Sequence, residues 1–149
     1  MSRMWETLYG YLDAKCATIT DLLPAVAEKA RPDDVHKLRT SIKRIRACGQ
    51  LAKHFKGFKG KRYANVLKIL QHAAGALRDI QLQQDSLQQY TRQNPQYKFF
   101  TTLLEDRHIQ AKAQAQDTAR SFPDAFIKKL RQQPAQLPHV SHKELSEHL

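Results

Sequence analysis

Apolar residues recur at intervals of three and four residues along most of this chain of 149 residues. The pattern is clearest from Val35 to Ala52, and a second run extends from Val66 to Leu87. This spacing places the apolar side chains on one face of a helix, where neighbouring helices can bury them. No segment shows the alternation and hairpin turns that are typical of strands. The sequence therefore predicts an all-α protein.

Prolines and glycines divide this pattern into separate helices. The first helix is predicted to be interrupted at Gly10 and Pro24, because glycine costs a helix about 1 kcal/mol and proline about 3 kcal/mol. Asp33 or Asp34 is expected to cap the second helix. Long helices joined by short loops predict an antiparallel four-helix bundle with a short extra C-terminal helix. The first predicted helix spans residues 5–30, the second lies between its cap and a turn at residues 57–60, and the others span about 61–90, about 96–121 and 124–132. The predicted domains are a helical bundle over 1–131 and a polar, proline-containing tail over 132–149.

The cysteines and the apolar runs indicate the cellular compartment of the protein. Cys16 and Cys48 lie far apart and form no Cys-x-x-Cys or Cys/His cluster, so neither a disulfide framework nor a zinc site is expected. No apolar run has the length of a secretory signal or a membrane span. We therefore expect a cytoplasmic protein without a membrane partner.

The positive charge of the chain is concentrated in one segment. The formal net charge is +11, and residues 31–62 hold eleven Lys and Arg against only two acids, Asp33 and Asp34. From Val35 through Arg78 there are twelve Lys and Arg and no acid. Ordinary exposed helices mix the two signs, because opposite charges four residues apart stabilise a helix and like charges destabilise it. A segment that lacks this compensation is expected to bind an external polyanion.

The predicted second helix carries a straight row of hydrogen-bond donors. His36, Arg39, Lys43 and Arg46 are spaced 3, 4 and 3 residues apart, and each follows an apolar residue of the predicted core face. At 1.5 Å per residue the row spans about 15 Å. Arginine offers a planar fork to phosphate oxygens, and lysine offers a mobile point charge. This basic row suits a linear series of phosphates, and its lack of interleaved aromatic residues argues against stacking of unpaired bases.

Three segments resemble the CHAD family, the conserved-histidine α-helical domains. Asp34–Ala47 (D-V-H-K-L-R-T-S-I-K-R-I-R-A) resembles the first signature helix of that family, and Gly75–Ile80 (G-A-L-R-D-I) is similar to its later L-G-x-x-R-D element. Leu103–Arg107, followed by Ala111 and Lys112, resembles its fourth-helix pattern. The three elements occur in the family's order and cover about residues 5–131.

The resemblance implies a helical bundle that binds inorganic polyphosphate along basic surface grooves, without catalysis and without a cofactor. The motif residues that match are His36, Arg39, Lys43, Arg44, Arg46 and Arg78, to which we add Lys37 and Lys53 as expected polyphosphate ligands. Asp79 matches the motif as well, and we expect it to orient a neighbouring guanidinium rather than to bind phosphate.

The resemblance extends to only one of the two bundles of a full family domain. Full CHAD domains resemble two such bundles in tandem, whereas this sequence matches one. We therefore expect either that one bundle suffices or that two copies pair as a homodimer to complete the groove. An association with polyphosphate granules in the cytoplasm would follow.

Two other functions share some of these features. His36–Arg39 faintly resembles the H-x-L-K-G element of histidine phosphotransfer modules, in which His36 would accept a phosphoryl group, but Thr40 replaces the glycine. Sequence-nonspecific nucleic-acid binding would use the same positive charge, although no recognition motif is present.

Metal binding and catalysis receive little support from the sequence. The histidines at positions 36, 54, 72 and 108 are scattered singly over three predicted helices, so no metal site is expected. The matched elements contain no paired carboxylates, no nucleophile beside a base and no glycine-rich phosphate loop. We therefore do not expect an enzyme.

Overall fold

The protein is described by a computed structural model over residues 3–52 and 60–132, with side chains described for 7–51 and 64–132. The predicted tail beyond residue 132 and most of the turn before Gly60 lie outside the described residues. The elements are α1 (Arg3–Glu28), α2 (Pro32–Ala52), α3 (Gly60–Gln93), a 3₁₀ turn (Pro95–Tyr97), α4 (Phe99–Ser121) and α5 (Asp124–Gln132). No strand occurs in these two ranges, which confirms the all-α prediction.

The helices pack in a cycle. α1 contacts α2 and α4, α2 contacts α3, α3 contacts α4, and α5 packs on α1. These neighbours are compatible with the predicted four-helix bundle. The predicted short extra helix is confirmed as α5, which buries Ile127 and Leu130. None of the described helices contains a stretch that is long and apolar enough to cross a membrane.

The predicted interruption of the first helix is wrong, because α1 runs unbroken through Gly10 and Pro24. Pro24 is exposed and lies close to the end of the helix, while Leu23 and Val26 beside it are buried in the core. Burial of this apolar face outweighs the local cost of the proline, since tertiary packing supplies most of the stability of helices in proteins. α1 ends where the N–H groups of Lys29 and Ala30 both donate to the carbonyl of Ala25.

The core lies between α1, α2, the first two thirds of α3, the C-terminal part of α4, and α5. On α2 the predicted face is confirmed at Val35, Leu38, Ile42 and Ile45, all of which are buried. On α3 the buried face includes Leu70, Ala73 and Leu77 from the predicted run. The run's other members, Val66, Ile80 and Leu87, are only half-buried, whereas Leu67 and Ala74 are fully covered. The core thus fixes which flank of α2 meets α3.

The α3–α4 hairpin extends past this core. No residue from 82 to 114 is buried, and the buried residues of α4 are Ala115 and Ala119, near its C-terminus. Large apolar residues on this hairpin remain open, with Phe99 65% exposed and Leu103 49% exposed. At its tip, the ring centroids of Phe99 and Phe100 lie 4.0 Å apart. We call residues 82–106 the hairpin arm.

Candidate anion-binding groove between α2 and α3

The basic row of α2 lies on the flank of the helix that faces α3. His36, Arg39, Lys43 and Arg46 each follow a buried residue of α2, so the row borders the core along its whole length. His36 and Lys43 are exposed, whereas Arg39 and Arg46 are half-buried. The row therefore alternates between side chains that reach into solvent and side chains that pack against the neighbouring helix.

The two half-buried arginines of α2 each lie against one residue of α3. A Cβ atom placed on Gly75 would lie 3.6 Å from Nε of Arg39, so the guanidinium lies directly over this buried glycine. Nη1 of Arg46 donates a hydrogen bond to Oε1 of Gln71, one helical turn earlier. The Nε atom of Arg46 is buried and has no hydrogen-bond partner among the described residues. The guanidinium of Arg46 is thus held against α3 by a hydrogen bond, whereas that of Arg39 lies against α3 at van der Waals distance.

Arg78 extends this surface along α3. It follows Gly75 by three residues, which places it on the same flank of the helix, and it is half-buried. We use the name α2/α3 groove for the surface that the row on α2 forms with its neighbours on α3, namely His36, Arg39, Lys43, Arg46, Gln71, Gly75 and Arg78.

The structure does not bring all predicted ligands to this groove. Lys37 and Arg44 each directly follow a residue of the row, so they lie about 100° around the helix from His36 and Lys43 and about 160° from the arginines two residues further on. They are exposed on the flank that also carries the buried Ser41 and Cys48. Lys53 lies outside the described residues. Whether these three bind polyphosphate stays a prediction.

Asp79 is exposed on α3 beside Arg78. Its carboxylate makes no ion pair within the described part of the chain. Its expected role in orienting a guanidinium therefore stays a prediction as well.

No carboxylate of the described residues neutralises the groove. The ion pairs join Lys29 with Glu28, Arg120 with Asp117 and Arg131 with Asp13. None of them involves a groove residue. The hydrogen bond from Arg46 to Gln71 has a neutral acceptor, so the positive charge of that guanidinium is fully retained. The groove is therefore an open cationic surface with donors fixed on one wall.

The thiols lie in the core and not in this surface. Burial raises the pKa of Cys16 to about 12 and also raises the pKa of Cys48. Both side chains are buried and free of disulfide bonds. Thiols in this state are poor nucleophiles, because the thiolate is the reactive form. Within the described ranges no three His, Cys, Asp or Glu side chains are grouped so that they could hold a metal ion.

Two groove residues were not predicted from the sequence, Gln71 and Gly75. Gly75 belongs to the G-A-L-R-D-I element, and the spacing of 4 and 3 from Gln71 through Gly75 to Arg78 places all three on one flank of a helix. That row is visible in the sequence. Its pairing with the row on α2 depends on how the two helices pack.

The family comparison covers nearly the whole chain. A family model described as CHAD domain matches residues 10–148. No curated protein and no solved structure matches the chain.

Proposed function

Because the chain belongs to the CHAD domain family, which is associated with polyphosphate binding, we propose that it binds inorganic polyphosphate in the α2/α3 groove without catalysing a reaction. In this proposal the helices form an antiparallel four-helix bundle, of which α2 and α3 supply the two walls of the groove. The ligand is a linear polyanion of repeating phosphates.

The observation that carries the proposal is the position of Arg39 and Arg46 against α3, where a hydrogen bond fixes Arg46. Gly75 lies beneath the first guanidinium, and Gln71 accepts a hydrogen bond from the second. Groups fixed before binding lose less conformational entropy when the ligand arrives. Between the two arginines, the exposed Lys43 supplies a mobile charge that can follow the ligand.

The linear arrangement of the basic side chains on α2 favours a linear ligand over a single small anion. The row on α2 extends over about 15 Å, since His36 and Arg46 are ten residues apart. A lone phosphate contacts only part of such a row, whereas a chain of phosphates meets every donor. The stretch from Val35 through Arg78 contains no acid that would repel it.

Direct binding with competition tests this proposal. Labelled long-chain polyphosphate is titrated with the full chain, and unlabelled polyphosphate or single-stranded DNA is then added at equal phosphate concentration. We expect polyphosphate to displace DNA at far lower phosphate concentration than the reverse. Equal displacement in both directions would instead indicate a nonspecific polyanion binder.

A charge-reversal variant then locates the site. Arg39→Glu combined with Lys43→Glu is expected to abolish polyphosphate binding while circular dichroism shows unchanged helicity, because both side chains are at least partly exposed. Retained binding by a folded double variant would refute the α2/α3 groove as the site.

We also propose that two copies of the chain pair. The family resemblance to a two-bundle domain motivates this proposal, and the open apolar residues of the hairpin arm support it, because large exposed apolar patches are typical of interaction surfaces. The binding site in one copy does not depend on this pairing, since both walls of the α2/α3 groove come from one chain.

A further inference from the structure

A second groove runs along the other side of α3, between α3 and α4. Its volume is about 760 Å³, and it extends from Asn65 to Ile80 on α3. At 1.5 Å per residue this is about 22 Å along the helix. Small side chains, Ala73 and Ala76 on α3 and Ala111 on α4, keep the floor open. We call this feature the α3/α4 groove.

The polar side chains that line this groove all offer hydrogen-bond donors. The cationic or titratable ones are Lys68, His72 and Arg107, all exposed or half-exposed to solvent on the groove walls. Gln110 and Gln114 on α4 add amide N–H groups. No lining residue is an acid. The α3/α4 groove is therefore receptive to anions.

The positive character ends abruptly further along the same two helices. In the hairpin arm, the hollow between α3 and α4 is lined by Asp85 and Glu105 and by no Lys, Arg or His. A polyanion is repelled from this region. The anion-receptive part of the helix pair is thus limited to the stretch beside the bundle core.

Lys68 and His72 connect the two grooves. Lys68 precedes Gln71 by three residues and His72 follows it directly, while Gln71 itself holds Arg46 in the α2/α3 groove. The two exposed side chains therefore lie on the crest of α3, within one helical turn of the first groove. A polyanion that leaves the α2/α3 groove meets these charges next.

We propose that the α3/α4 groove is a second polyphosphate subsite, in which Lys68, His72 and Arg107 bind the continuation of a long chain that is anchored in the α2/α3 groove. This inference rests on the proposed function, because it takes the same ligand class. It makes the protein selective for long chains, since only a chain that crosses the crest of α3 contacts both grooves.

The test compares two double variants with the unaltered chain. Lys68→Ala with Arg107→Ala removes two bases of the α3/α4 groove, and Arg92→Ala with Lys98→Ala removes two exposed bases of the hairpin arm. Both variants lose the same net charge, and all four replaced side chains are exposed, so both are expected to stay folded. Circular dichroism and thermal unfolding check this before binding is measured.

Binding is measured with long-chain polyphosphate and with tripolyphosphate, which is too short to occupy both grooves. For the long chain we expect the groove variant to lose at least about tenfold in affinity, and the salt slope to become shallower by about 1.4, at about 0.7 per lost phosphate contact. The arm variant should stay within about twofold of the unaltered chain, as expected for charges distant from the ligand. For tripolyphosphate, both variants should match the unaltered chain.

Three outcomes would overturn the inference. If the two double variants bind the long chain equally well, the position of Lys68 and Arg107 in the α3/α4 groove does not determine affinity, while the proposed function stands. If the groove variant loses tripolyphosphate binding as well, Lys68 and Arg107 do not form a separate extension. If the unaltered chain binds neither ligand, the proposed function fails, and the inference fails with it.

Discussion

Paired variants of the α2 helix can distinguish polyphosphate binding in the proposed groove from attraction by the overall positive charge of the protein. Arg39→Ala with Lys43→Ala removes two charges from the flank that faces α3, and Lys37→Ala with Arg44→Ala removes two from the opposite flank. Both double variants have the same net charge and alter the same helix. Any difference between them in polyphosphate affinity therefore reports position and not charge.

The expected size of the difference follows from the contacts. A hydrogen bond to a charged group contributes about 1.5–3 kcal/mol, and we use the lower end because Lys43 is exposed and Arg39 is half-buried. Two such contacts amount to about 3 kcal/mol, which is roughly a hundredfold change in dissociation constant at 1.4 kcal/mol per factor of ten. Loss of two phosphate contacts should also make the salt slope shallower by about 1.4.

Fluorescence anisotropy with labelled polyphosphate at several salt concentrations measures both quantities. The variant on the opposite flank is expected to weaken binding only a few-fold, through the reduced electrostatic field of the protein. Equal losses in the two variants, with equal changes in salt slope, would refute the assignment of binding to the α2/α3 groove. They would also restore Lys37 and Arg44 as ligands of equal standing.

Four further outcomes are expected. Gln71→Glu should weaken polyphosphate binding more than Gln71→Leu in calorimetry, because a carboxylate neutralises Arg46 whereas leucine only removes its acceptor; the opposite order would contradict the proposed role of that arginine. Ile42→Ala should lower the free energy of unfolding in urea by about 2–5 kcal/mol, since Ile42 is 0% exposed; a loss below 1 kcal/mol would contradict its place in the core. Cys16 and Cys48 should react with a disulfide reagent at pH 8 far more slowly in the native protein than in denaturant, because burial raises the pKa of both thiols; equal rates would show that the thiols are accessible. Sedimentation equilibrium at micromolar concentration should give twice the chain mass of 17.2 kDa, and a mass of one chain would refute the proposed pairing.

The α2 helix shows what local sequence determines. Its apolar residues repeat regularly along one face, and that face is buried as predicted. Because the basic row follows this face at a constant offset of one residue, the burial of the face also fixes the direction of the row. Sequence alone is therefore sufficient to predict the buried face of α2 and the side of that face on which the basic row lies.

Packing between helices determines what the sequence did not predict. Pro24 carries a strong local penalty, yet α1 continues through it because the adjacent residues are buried. The contact between Arg46 and Gln71 joins residues 25 positions apart, which no spacing rule within one helix describes. The open apolar residues of the hairpin arm, such as Phe99, have the helical spacing of core residues, but none of the described helices covers them.

The charge pattern of α3 explains why both grooves depend on this one helix. Its α2 flank carries the neutral Gln71, which accepts a hydrogen bond from Arg46, and Gly75, which leaves space for Arg39, and neither cancels the charge of its arginine. Its crest carries Lys68 and His72, which continue the positive charge toward α4. An acid on the α2 flank would neutralise a guanidinium of α2, and an acid on the crest would repel a polyanion that crosses it. Under the proposed function, the absence of acids from Val35 through Arg78 therefore matters on α3 as much as on α2, and it ends at Asp79, where the α2/α3 groove ends as well.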